Sequence, residues 1–154
     1  MTPAASDPML ELSRYLYLAG ALPFLVLGTA HALATPRGPA DAKGLSPFDP
    51  QLAEAMTRST LRLTRRTDMW RAWVGFNLSH SLGVLAFAAS VILTGRSRSA
   101  FDTQAFLFLP FAVMVASVYL WLARRYWFRT PLLGCALSLT FFLASWITRL
   151  VGAP

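Results

Sequence analysis

Residues 69–94 read MWRAWVGFNLSHSLGVLAFAASVILT, twenty-six positions with a single charge, Arg71, near the start. A helix of about 20 predominantly apolar residues is long enough to cross the hydrocarbon layer of a bilayer. The stretch meets that requirement and is closed by Gly95. Working outward, three more stretches have the same character. Residues 15–34 carry no charge and stop at Thr35-Pro36. Residues 103–123 are followed by Arg124 and Arg125, and residues 131–150 are interrupted only by Arg149. The sequence therefore predicts an all-α fold: a four-helix transmembrane bundle in a single membrane domain over residues 1–154.

Composition agrees. Of 154 residues, 55% are apolar and only 14% charged, against about 25% charged in an ordinary soluble domain. The charges are segregated between the apolar stretches rather than mixed through them, as in membrane proteins. Trp70, Trp73, Trp121, Tyr126, Trp127 and Trp146 fall near the ends of the expected spans, where amphipathic rings prefer the headgroup level. Pro23 and Pro110 lie inside spans, a position that membrane helices tolerate. Ala32-Leu33-Ala34 has the small-residue look of a signal-peptide cleavage site, but Asp7 and Glu11 precede the first apolar stretch and Arg14 is its one basic residue. That is a poor positively charged leader, so an uncleaved first span is expected. A lone cysteine, Cys135, excludes an internal disulfide and any cysteine-cluster metal site.

The net charge is +7, and 13 of the 14 basic residues are Arg. No nucleic-acid motif accompanies them, so the expected partners are membrane lipids and no nucleic acid. Their distribution is uneven. Arg37, Lys43, Arg58, Arg62, Arg65, Arg66 and Arg71 lie between spans one and two, and Arg124, Arg125 and Arg129 between spans three and four. These ten face four on the other side: Arg14, Arg96, Arg98 and Arg149. Excess Arg and Lys marks cytoplasmic loops, which predicts periplasmic termini in a bacterial inner membrane. Within the first loop, residues 36–49 are rich in Pro and Gly, and Asp49-Pro50 is a helix start with an Asp cap and Pro in first position. A helix over about 50–66 would group Leu52, Met56 and Leu63 on one face and Arg58, Arg62, Arg65 and Arg66 on another. Such an amphipathic helix would lie in the cytoplasmic interface with its guanidinium groups on lipid phosphates.

Polar groups inside spans are costly and therefore informative. Asp and Glu are absent from the span interiors, which argues against a carboxylate proton relay. Span two is the richest: Trp70, Trp73, Asn77, His80 and Ser81 share one arc. Span one presents Tyr17, Gly20, Phe24, Gly28 and His31 on one side, its glycines allowing close helix approach. Span four adds Gly134, Cys135, Ser138, Phe142, Ser145 and Arg149, and span three adds Pro110, Ser117, Trp121 and Arg124. These faces define a candidate ligand pocket lined by Trp70, Trp73, Asn77, His80, His31, Tyr17 and Ser138. From residue counts at about 1.5 Å per residue, His31 and Asn77 would differ in depth by roughly 5 Å, and His31 and His80 by roughly 9 Å.

Three readings of these residues compete. In the first, His31, Asn77, His80 and the serines are hydrogen-bond partners between helices, in a non-catalytic binding protein or an accessory subunit, with other membrane subunits or a homo-oligomer as partners. In the second, the chain is a small intramembrane enzyme for a lipophilic substrate, with His80 or His31 as acid or base and Asn77 orienting. In the third, His31 and His80 hold a b-type haem, and a depth offset of roughly 9 Å argues against it. The first is favoured, with no cofactor and no metal expected.

The motif Asp68-Met69-Trp70, the run Gly75-Phe76-Asn77-Leu78-Ser79-His80-Ser81-Leu82-Gly83 and His31 after an apolar first span resemble a family of uncharacterised small bacterial four-helix inner-membrane proteins. The resemblance covers most of the chain, including Asp49-Pro50 and Met56 of the connecting loop. It implies the architecture and a bacterial inner membrane, and carries no activity. The general shape is also similar to small sterol-isomerase-like bundles, but their chemistry rests on intramembrane carboxylates that this chain lacks.

Overall fold

The computed structural model describes residues 7–152. The extreme chain ends, whose sidedness the charge pattern addresses, lie outside them. Five α-helices follow one another: α1 (Pro8–Ala34), α2 (Pro50–Arg58), α3 (Met69–Arg96), α4 (Arg98–Tyr126) and α5 (Arg129–Gly152). α1, α3, α4 and α5 are each long and apolar enough to cross a membrane.

These four helices are longer than the apolar stretches that predict them, because capping chemistry rather than hydropathy sets their ends. Asp7 accepts from the Met9 backbone N–H at 2.8 Å, with Pro8 in the first helical position. Ser97 caps α4 by accepting from Ala100 N at 3.2 Å, and is the single residue between α3 and α4. The 29 residues of α4 span about 43 Å. That exceeds the roughly 30 Å of hydrocarbon, so the helix is long enough to cross it with its charged ends beyond the apolar layer.

The segment after α1 begins with a turn held by Asp41 and then enters α2. Asp49 accepts from Gln51 N at 2.8 Å and Pro50 opens the helix, as the sequence predicts. The helix is shorter than expected, ending at Arg58 rather than near residue 66. Arg62, Leu63, Arg65 and Arg66 are outside it. Ser59 turns extended, Thr60 and Asp68 form an antiparallel bridge, and Met69 N donates to Ser59 O at 2.8 Å. Two forces stop the helix. Continuing it would stack Arg58, Arg62, Arg65 and Arg66 at repulsive spacings. The Ser and Thr side chains also compete for backbone groups, as Thr64 Oγ1 does in accepting from Arg66 N at 3.1 Å. The expected face of Leu52, Met56 and Leu63 is thus broken: Leu52 is exposed and Leu63, off the helix, is 94% exposed.

The described residues form two compact units, one of residues 7–27 with 86–152 and one of Gly28–Leu85. In the first, segments of α1, α3, α4 and α5 pack around Tyr17, Phe24, Phe101 and Phe142, all fully buried. Tyr17 contacts the rings of Phe101 and Phe142 at 5.2 and 5.8 Å, and Phe24 meets Phe87 edge-on at 5.3 Å. Such tilted pairs are the favoured aromatic geometry. Small residues make room for them. A Cβ on Gly20 would lie 2.5 Å from the Phe142 ring, and one on Gly134 would lie 2.6 Å from Leu27.

α5 buries Cys135, Ser138, Phe142 and Ser145, in line with its predicted inward face. α4 does not follow its prediction. It buries Phe101, Ala105, Leu109, Ala112, Ala116 and Ala123, while Ser117, Trp121 and Arg124 are exposed. Ser117 Oγ donates to Val113 O at 2.7 Å, so its hydroxyl is satisfied within the helix and needs no neighbour.

Polar contacts join the same unit. Ser13 Oγ donates to Ser145 O at 2.8 Å and Ser145 Oγ donates to Ser13 O at 2.7 Å, both buried. Further along lies a chain of charges. Glu11 pairs with Arg14 at 3.0 Å and with Arg98 at 3.2 Å. Arg98 also faces Asp102 at 3.6 Å, and Asp102 pairs with Arg149 at 2.6 Å. Arg14 Nη1 donates to Gly95 O at 3.0 Å and Arg149 Nη2 to Asp102 O at 3.1 Å. Arg149, which interrupts the last apolar stretch, is therefore accommodated by an acidic partner on α4.

Two glycine substitutions test this packing. Phe142 has no room to yield, since Tyr17 and Phe87 flank its ring, so Gly20→Ala should destabilise the protein by about 1–3 kcal/mol. Gly75 has open space around it, and Gly75→Ala should be neutral or stabilising by up to about 1 kcal/mol. Thermal unfolding in detergent reads both, and equal effects would contradict the packing described.

Candidate functional site

The residues singled out in α1 and α3 meet in the second unit. Gly28 opens the approach: a Cβ there would lie 3.0 Å from Val84 and 3.1 Å from Leu85. One turn further along α1, His31 Nε2 lies 2.9 Å from Asn77 Oδ1. Asn77 is buried, at 3% exposure, and its amide nitrogen donates to Trp73 O at 2.8 Å. Ser81 Oγ donates to Asn77 O at 3.0 Å.

This network fixes the proton positions. An amide nitrogen only donates and an amide oxygen only accepts. With Nδ2 directed at the Trp73 carbonyl, Oδ1 is the atom facing His31. His31 Nε2 therefore carries a hydrogen and donates it to Asn77, which leaves the lone pair of the neutral ring on Nδ1.

The two histidines are closer than residue counting implies. Their ring centroids lie 5.0 Å apart with planes at 58°, where a depth offset of roughly 9 Å was expected from helical rise. Side chains lean toward the N-terminus of their own helix. On helices of opposite direction His31 and His80 lean toward each other, and the offset shrinks. The Phe76 ring stacks against His80 at 6.4 Å and 17°.

Other candidates fall elsewhere. Trp70 is buried at 5% exposure, whereas Trp73 is 37% exposed and takes part through its backbone carbonyl. Tyr17 and Ser138 belong to the first unit, where both are fully buried and neither hydroxyl has a hydrogen-bond partner among the described residues. Arg58 pairs with Glu54 at 2.7 Å in an exposed i,i+4 contact, while Arg62, Arg65 and Arg66 are exposed around Leu63. The charge chain from Glu11 to Arg149 was not anticipated. The signal was there in Asp102, which stands one residue before an apolar stretch.

The arrangement constrains its chemistry. His31 Nε2 donates and so offers no lone pair to a haem iron; only Nδ1 has one. Among the described residues no three His, Cys, Asp or Glu side chains converge as metal ligands. Cys135 is a buried free thiol. An open cleft of about 350 Å³ lies in the same unit, lined by Ala32, Leu33, Thr35, Pro36, Arg37, Lys43, Val74 and Leu78. His31, Asn77 and His80 are not part of its wall. No protein-family model matches the chain, and no curated protein and no solved structure matches it either.

A double-mutant cycle probes the cluster. His31→Ala and Asn77→Ala should show a coupling of about 0.6 kcal/mol, and at most about 1.7, as for other hydrogen bonds between membrane helices. Trp73→Phe keeps the carbonyl and should leave that coupling unchanged. Strictly additive single effects would mean that the two side chains do not bond.

Proposed function

We propose that this chain is a non-catalytic multi-pass component of a bacterial inner membrane, acting as a binding protein or accessory subunit of a larger membrane assembly. One observation carries this reading. The groups best suited to acid–base work are engaged in holding helices together: His31 donates to Asn77, and Asn77 donates to Trp73 O. His80 stands between the His31 and Phe76 rings. The resemblance of the run Gly75–Gly83 to small bacterial inner-membrane proteins supports the same membrane.

The basic segment supports one orientation. Three of the four basic residues outside the two Arg-rich loops, Arg14, Arg98 and Arg149, share the carboxylates of Glu11 and Asp102. Arg62, Arg65 and Arg66 have no carboxylate partner among the described residues and stay exposed. A concentration of uncompensated Arg favours the cytoplasmic side, where anionic lipid attracts it. Phe48 and Leu63, 105% and 94% exposed, would then enter the interface beside the Arg groups, and the termini would be periplasmic.

Two measurements test the proposal. Native electrophoresis of membranes solubilised in mild detergent should place the 17.0 kDa chain in a complex larger than its detergent-bound monomer; a monomer even after cross-linking in intact cells would overturn the subunit reading. With reporter fusions at each end, a cytoplasmic signal from either would overturn the orientation. Leu63→Trp in nanodiscs should be quenched by lipids brominated near the headgroup, and unquenched fluorescence would remove the loop from the interface.

A further inference from the structure

We infer that the cleft beside α1 and α3 is a binding site for the headgroup of an anionic glycerophospholipid. The cleft is composite. Leu33, Val74 and Leu78 form an apolar wall, and Arg37 and Lys43 stand at its polar end. Leu33 is 69% exposed and Leu78 47% exposed, so the wall is open to the side rather than closed over.

A tight turn fixes the backbone that carries the cations. Arg37 N donates to Asp41 Oδ2 at 2.9 Å, Asp41 N to Gly38 O at 2.9 Å, and Ser46 Oγ to Asp41 O at 2.6 Å. Leu45 N donates to Ala34 O at 3.1 Å and ties the turn to the end of α1. The turn therefore holds Arg37 and Lys43 beside the end of a spanning helix.

The charges are unbalanced. Lys43 has one carboxylate, Asp41, at 3.7 Å. The Arg37 side chain has no carboxylate partner among the described residues and is exposed. Asp41 is the only acidic residue of the turn, so the two cations and one carboxylate leave one positive charge. A phosphodiester carries one negative charge and acceptor oxygens suited to a guanidinium fork. Thr35 is not a competing donor, because its hydroxyl already donates to His31 O at 2.9 Å.

Charge and shape together select the occupant. A free phosphate would satisfy the cations but not cover Leu33, Val74 and Leu78. A lipid satisfies both, with its phosphate at Arg37 and Lys43 and the start of an acyl chain along the apolar wall. This inference rests on the membrane placement proposed above and is independent of the roles of His31, Asn77 and His80.

Native mass spectrometry of the detergent-solubilised full chain, titrated with phosphatidylglycerol or phosphatidylcholine, provides the test. The wild-type chain should retain phosphatidylglycerol at least tenfold more strongly than phosphatidylcholine. R37Q/K43Q should lose that preference. R124Q/R125Q, which removes two exposed cations beside Trp121, should keep it. Unchanged unfolding temperatures would confirm that the variants fold. Equal retention of both lipids by the wild type, or an undiminished preference in R37Q/K43Q, would overturn the assignment. Displacement of the lipid by millimolar inorganic phosphate would do the same by making the site one for free anions. A chain that is monomeric but keeps the preference fails only the subunit reading, so the two proposals fail separately.

Discussion

Water is absent from the hydrocarbon layer, so every polar group carried into it must find its partner within the protein. Serines and threonines of the long helices show that constraint at work, and the buried Tyr17 and Ser138 hydroxyls, without a partner among the described residues, depart from it. Ser79, Ser90, Ser117, Thr140 and Thr148 each return their hydroxyl to a carbonyl of the preceding turn. Ser13 and Ser145 instead exchange hydrogen bonds between α1 and α5. His31 donates a single one to Asn77 between α1 and α3. The helices are joined by groups that would otherwise be left unsatisfied.

Close approach is the companion requirement. Lipid tails are as apolar as leucine, so burying apolar surface gives spanning helices little reason to associate. Contact must come from fit. In the first unit, the buried alanines of α1, α3 and α4 sit among four large rings, and Gly20, Gly95 and Gly134 leave room for neighbouring side chains. Many leucines and phenylalanines stay exposed on the outside, which would be a liability in water and is the natural surface in lipid.

Much of this could be read in the sequence, and the failures have physical causes. The four long helices follow from uncharged stretches. The inward faces of α1 and α5 follow from the spacing of Tyr17, Gly20, Phe24 and Gly28, and of Cys135, Ser138, Phe142 and Ser145. The α4 face departs from its sequence pattern because Ser117 and Trp121 suggest a polar lining, whereas a hydroxyl bonded to its own backbone is indifferent to direction. Alanine, which carries no polar signal, marks the buried side there. The helix after Asp49-Pro50 ends sooner than its periodicity predicts, because periodicity ignores repulsion among stacked arginines. Asn77 meets His31 as expected, but rise per residue alone overstates the separation of His31 and His80, since it omits the lean of side chains along each helix.

The hydrogen on His31 Nε2 has a consequence for register. Asn77 spends its amide nitrogen on the Trp73 carbonyl and so turns only an oxygen toward α1. A donor on one helix and an acceptor on the other make a keyed joint, which a sliding of α1 along α3 would break.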